Sequence, residues 1–131
     1  MNQAEQLNAN PLPFAKLMGV TVVEASPDRV VTRLVVREDL CTAGGILHGG
    51  AFMALADTTG AIGAFLGLPE GANTTTIESK TNFLGGAPVG AAVTAEATAI
   101  HRGRRTSVWQ TRITNDAGKL LALVTQTQMT I

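Results

Sequence analysis

Hydrophobic and polar positions alternate along most of this chain, and one central stretch breaks the pattern. Val20 to Ala25 is rich in β-branched residues, and Arg29 to Arg37 repeats that character after the turn signal Ser26-Pro27-Asp28. Val93 to Ile100 alternates apolar residues with Thr and Glu, and Thr106 to Thr114 alternates again, with Trp109 on the opposite face from Val108. Thr74 to Phe83 and Leu120 to Ile131 complete the set. A period of two is the signature of a strand with one face buried, so about six strands are predicted. Turns fall at Gly85-Gly86-Ala87-Pro88, Arg102-Gly103-Arg104 and Asn115-Asp116-Ala117-Gly118.

The exception runs from about Ala51 to Leu66 and is ended by Gly67 and Pro69. It has the length of a helix, and its only polar side chains are Asp57, Thr58 and Thr59. No solvated stripe remains on it, which predicts a helix buried inside the fold. Upstream, Cys41 to Leu47 reads as a glycine-rich loop, and Phe14 to Met18 as one or two helical turns closed by Gly19. Met1 to Asn10 is mostly polar and is expected to be loosely ordered.

The predicted order is two strands, one long helix and four strands. Short links between the last four favour antiparallel pairing, and a twisted sheet can curl round a single helix. The pattern therefore predicts one α+β domain over residues 1–131, a hotdog fold in which a curved antiparallel sheet of about six strands wraps one long buried helix. An open antiparallel sheet carrying one helix is the alternative.

Composition adds a partner. Hydrophobic residues make up 45% of the chain and charged residues 15%, so a second copy is expected to cover part of the surface. Ten basic and ten acidic residues give zero net charge, which offers no global attraction to nucleic acid or to a membrane surface. The single cysteine, Cys41, excludes an internal disulfide and fits a reducing compartment. The start, Met1-Asn2-Gln3-Ala4-Glu5-Gln6, lacks the basic and apolar segments of a signal peptide. Glycines, His48 and Asp57 argue against a membrane span between Ala43 and Leu68. A cytoplasmic protein is the expectation. With His48 and His101 the only histidines, no metal site is expected.

Two features could carry chemistry. His48-Gly49-Gly50 sits where a loop becomes a helix, where free N–H groups and the dipole favour negative charge and glycine lets a ligand approach. Such a place can stabilise an oxyanion; equally, the glycines can simply allow a tight turn into the helix. Asp57 is the only charge between His48 and Pro69. A lone carboxylate in an apolar helix costs several kcal/mol if buried, and so has either a partner or a function; a place at the sheet edge facing water, or capping a neighbouring loop, would also explain it. Eight positions separate Gly49 from Asp57, about 12 Å along a helix. If both act on one small group, the second must come from another chain, as in an antiparallel helix pair across a two-fold axis.

The run His48-Gly49-Gly50-Ala51-Phe52-Met53-Ala54-Leu55-Ala56-Asp57-Thr58 resembles the signature of the PaaI-like thioesterases, the phenylacetate-degradation type that also includes one class of hydroxybenzoyl-CoA thioesterase. Gly19-Val20, Asn82-Phe83-Leu84 and Gly103-Arg104-Arg105 also fall where that family has similar residues. The resemblance implies an acyl-CoA thioesterase with shared active sites in a dimer, itself part of a tetramer, and no cofactor beyond its substrate. By position, the Gly49 amide would polarise the thioester carbonyl with His48 assisting and Gly50 nearby, and Asp57 would be nucleophile or general base. Thr76, or Thr75 one residue earlier, would support the acid. Phe83, Leu84, Phe52 and Met53 are candidates to line the substrate pocket. In one respect the chain departs from the family, which usually has Asn or Gln six residues before the His: here the position is Thr42, whose hydroxyl lacks the amide's fork. A non-catalytic acyl-CoA binder or ligand sensor on the same fold is the alternative that Thr42 favours.

The hairpin His101-Arg102-Gly103-Arg104-Arg105-Thr106 is basic. Arg102, Arg104 and Arg105 suit the pyrophosphate and ribose phosphate of coenzyme A; a solvated hairpin tip explains the same charges. A lone Cys41 in a loop, without a base known to be in reach, reads as inert rather than as a nucleophile.

Overall fold

The computed structural model describes all 131 residues. Its elements are α1 (Gln3–Ala9), α2 (Pro13–Met18), β1 (Thr21–Ala25), β2 (Arg29–Val35), β3 (Cys41–Thr42), β4 (Ile46–Leu47), α3 (Gly49–Leu66), β5 (Thr74–Phe83), β6 (Ala92–Arg102), β7 (Thr106–Asn115) and β8 (Leu120–Thr130). The six long strands form one sheet in the order β1-β2-β6-β7-β8-β5, every neighbouring pair antiparallel. β3 and β4 make a separate two-stranded hairpin, turned by Gly44 and Gly45 at positive φ, where the sequence predicts a loop.

Helix α3 lies across the sheet. Phe52, Leu55, Ala56, Thr59, Gly60, Ile62, Gly63 and Ala64 are its buried residues. Phe52, Leu55 and Ala56 meet Leu34, Val93, Ala95, Ile113, Leu121 and Val124 in the core, while Ile62 packs with Val22 and Val30, and Ala64 with Ala97 and Trp109. Close approach is possible because two positions lack a Cβ. A Cβ at Gly63 would lie 2.5 Å from the Trp109 ring, and one at Gly60 2.8 Å from the Gln126 amide. The apolar pattern predicts a helix buried on all sides, and here the structure differs. Met53, Ala54, Thr58, Ala61 and Phe65 are half-buried or exposed, so the sheet leaves part of the helix uncovered, and Asp57 is half-buried beside β5. With 18 residues at a mean hydropathy of 1.2, α3 has the length and composition of a membrane span, but half of it is buried in this fold.

The N-terminus is also a correction. Residues 1–10, expected to be loosely ordered, contain a capped helix. The Asn2 side chain accepts from the Glu5 N–H while Glu5 accepts from the Asn2 N–H, so two orphan donors are satisfied. Ala4 is buried against Val22, Val30 and Ile62. The Asn8 amide bonds both the C=O and the N–H of Val22 at 2.8 Å, closing the β1 edge of the sheet. The opposite edge, β5, has no neighbour on its outer side.

Candidate active site

The helix start is built by the β3–β4 hairpin, which returns the chain so that the His48 N–H bonds the Leu40 carbonyl. His48 is the N-cap of α3, and its Nδ1 accepts the Gly50 N–H at 2.7 Å. That bond claims the amide of Gly50 and leaves that of Gly49, the first helical residue, with no acceptor in the chain. A Cβ at position 49 would lie 3.2 Å from the exposed Phe83 ring, so glycine keeps this amide open with Phe83 close beside it. Phe83 in turn meets Phe52 edge-on at 6.3 Å. An unclaimed N–H at a helix start, beside an aromatic wall and an exposed imidazole, can hold a developing negative charge.

Asp57 lies two turns further along α3, half-buried on the flank of the helix that faces β5 and β8. Its Oδ1 accepts from the Thr76 hydroxyl at 2.6 Å and, more distantly, from Gln126 Nε2 at 3.4 Å. Its Oδ2 makes no hydrogen bond within the chain. A carboxylate with one oxygen anchored and the other free can take a proton from water or attack an electrophile.

A bulge selects Thr76 over Thr75. Counting back from Phe83 through Thr81 and Ser79, strict alternation would turn Ile77 and then Thr75 toward the helix. The register of β5 against β8 slips between Thr76 and Glu78, so Ile77 bulges out at 56% exposure and Thr76 and Thr74 take the inward face. Thr75 is exposed on the other face.

Phe83 and Leu84 are exposed near the helix start, at 52% and 54%, and Met53 is exposed on α3. Phe52, a candidate for the pocket wall, lies instead in the core. Thr42 sits exposed on β3, and its hydroxyl makes no hydrogen bond within the chain. Beside His48 and Gly50 lies a groove of about 240 Å³ walled by Phe14, Leu17, Met18, Leu40 and Ala54.

The basic hairpin divides in two. Arg102 is tied to the β1–β2 turn, donating to Asp28 Oδ1 at 2.9 Å and to the Pro27 carbonyl, and it lies over the Trp109 ring. The side chains of Arg104 and Arg105 form no ion pair or hydrogen bond. Arg102 and Arg104 edge a cleft of about 260 Å³ at the C-terminal end of α3, next to Ala64 and Gly67. Cys41 donates its thiol to the Arg37 carbonyl at 3.2 Å.

Two residues of this site are missing from the sequence reading. Gln126 and Gln128 stand on the inward face of β8, each 1% exposed, and reach Asp57 and Thr76 respectively. The signal is their parity: they follow Ala122 and Val124 at steps of two, on the face that must be buried.

Comparison with known proteins bears on this geometry. The family model described as the thioesterase superfamily matches residues 44–122, from the β3–β4 hairpin into β8. The 1,4-dihydroxy-2-naphthoyl-CoA hydrolase of Listeria monocytogenes is 34% identical over 106 residues, covering 81% of this chain and 85% of that one. A mutant thioesterase from Pseudomonas aeruginosa superposes with a TM-score of 0.92 at 29% identity, covering 100% of this chain and 95% of the other. The PaaI protein of E. coli shares the fold with a TM-score of 0.89, at 24% identity and 98% and 91% coverage. With its long helix on a six-stranded antiparallel sheet, the chain belongs to the thioesterase superfamily, as a hotdog-fold thioester hydrolase.

Proposed function

We propose that this protein hydrolyses the thioester of an acyl- or aryl-coenzyme A at sites shared between two copies of the chain. Water attacks the thioester carbonyl carbon while Asp57 Oδ2 takes its proton. The Gly49 N–H of the other copy stabilises the oxyanion, with His48 at the same helix start. Collapse expels the coenzyme A sulfur, which takes the proton from Asp57, and the free acid leaves. Direct attack by Asp57 is the variant of this scheme. Thr76 holds the carboxylate in place, and Thr42, Gly50, Phe83 and Leu84 lie on the substrate side. The reaction needs no cofactor beyond the substrate.

The observation that carries this reading is Asp57 itself, half-buried beside β5 and β8, anchored through Oδ1 and free at Oδ2. Helix geometry supports the shared site. Gly49 and Asp57 belong to one unbroken helix and stand about 12 Å apart along it, too far to meet at one carbonyl carbon. The bare side of α3 and the open β5 edge supply surface for a second copy, in the dimer and in a tetramer built from it. For the coenzyme A phosphates, Arg104 and Arg105 are the free cations, while Arg102 is already held by Asp28. The lone free thiol of Cys41 suits the cytoplasm.

The test is turnover of a panel of aryl- and aliphatic acyl-CoAs by wild type and Asp57→Asn. The substitution keeps shape and removes basicity. The account expects kcat to fall by about 10³ or more in a protein of unchanged thermal stability. A folded Asp57→Asn enzyme with near wild-type turnover would remove Asp57 from the chemistry.

A further inference from the structure

Two glutamines are buried where packing alone would favour Leu or Met. Gln126 and Gln128 are each 1% exposed on the inward face of β8. A buried amide is costly unless its polar ends are bonded, so its partners are informative. Gln128 spans two hydroxyls of the neighbouring strand. Its Oε1 accepts from Thr74 Oγ1 at 2.9 Å, and its Nε2 donates to Thr76 Oγ1 at 2.6 Å.

Thr76 has a single hydroxyl proton. The Gln128 N–H occupies the acceptor side of its oxygen, so the proton is directed the other way, to Asp57 Oδ1 at 2.6 Å. Every donor in the row Thr74, Gln128, Thr76 points toward the carboxylate, and each bond polarises the next. Turning the Gln128 amide over would set its carbonyl against Thr76 and draw the proton away from Asp57. Gln126 adds a longer contact to the same Oδ1, lying in the space that Gly60 leaves open.

We infer that Gln128 is a positioning residue for hydrolysis: acting through Thr76, it fixes a proton donor on Asp57 Oδ1 and so reserves Oδ2 for the substrate. This rests on Asp57 being the acid of the proposed reaction. Gln128 touches neither Asp57 nor the reacting atoms, so its effect must pass through the Thr76 hydroxyl.

A double-mutant cycle isolates that route. Steady-state kinetics are measured on wild type, Gln128→Met, Thr76→Val and the double variant, using the best acyl-CoA of the panel. Thermal unfolding of each variant reports folding, and active-site content is normalised to folded protein. Gln128→Met is expected to lower kcat about tenfold with KM changed less than twofold, the size expected for losing support of a hydrogen bond to a charged group. In the Thr76→Val background the same substitution is expected to cost less than twofold. Thr76→Ser, which keeps the hydroxyl, is expected to regain most of what Thr76→Val loses. Unchanged kcat in Gln128→Met would overturn the inference. So would an equal loss in the Thr76→Val background, because Gln128 would then act by another route. A loss of kcat that disappears on normalisation to folded enzyme would reduce Gln128 to a packing residue. Failure of the Asp57 reading is separately visible, since it shows as retained turnover in Asp57→Asn.

Discussion

The inner face of the sheet has two halves, and they are built differently. Under β2, β6 and β7 lie Val30, Leu34, Val93, Ala95 and Ile113, all at 0–1% exposure. Polar groups there are few, and Thr32 and Thr59 bond each other at 2.7 Å. Under β5 and the end of β8 lie Thr74, Thr76, Ser79, Thr81, Gln126 and Gln128. The hydroxyls of Ser79 and Thr81 are buried there without a hydrogen-bond partner in the chain. Both halves face the same helix. The packed half has one such unpartnered group, the Thr111 hydroxyl of β7; the other half gathers most of the buried polar side chains and lies under the helix's only carboxylate. The difference separates what stabilises this fold from what equips it.

Two glycines of α3 break that comparison most sharply. Gly63 faces the packed half, where a Cβ would lie 2.5 Å from the buried Trp109 ring. Gly63→Ala is expected to cost about 1–3 kcal/mol of stability, read as a lower Tm, with kcat per folded enzyme unchanged. Gly60 faces the polar half, where the clash is with the more flexible Gln126 amide. Gly60→Ala is expected to lower Tm less and kcat more, because Gln126 touches Asp57. Equal effects from the two substitutions would mean that the halves do not differ in role.

A smaller effect is expected at the far end of α3. Neutralising Arg104 and Arg105 together should raise KM for acyl-CoA several-fold and leave kcat nearly intact, since these contacts are remote from the bond that breaks. A short thioester without the nucleotide should be indifferent to the change. Equal losses on both substrates would assign the hairpin to folding, the role that Arg102 already fills through Asp28.

Much of this molecule is legible in its sequence, for identifiable reasons. The long strands announce themselves because each buries one face, and the helix because Gly67 and Pro69 end its apolar run. Asp57 is conspicuous as a lone charge. The choice between Thr75 and Thr76 is not legible, because a bulge at Ile77 decides it and isoleucine suits a regular strand equally well. Helix α1 is hidden in a polar segment because its stability comes from one capping box and the burial of Ala4 against distant strands. The bare side of α3 is hidden for another reason: an apolar residue records that something covers it, not which chain does.

A Gly49→Pro chain lacks the oxyanion donor; proline is tolerated at the first helical position, and the contact an added Cβ makes there is with the exposed side chain of Phe83. An Asp57→Asn chain lacks the base. Each variant alone should be inactive. The decisive measurement is hydrolysis after the two are mixed and subunit exchange is verified by mass. If each site draws Gly49 from one copy and Asp57 from the other, one site of every mixed dimer is intact, and about half the wild-type activity per mixed dimer returns. If verified mixed dimers stay inactive, both groups act within one chain, and the shared site is wrong.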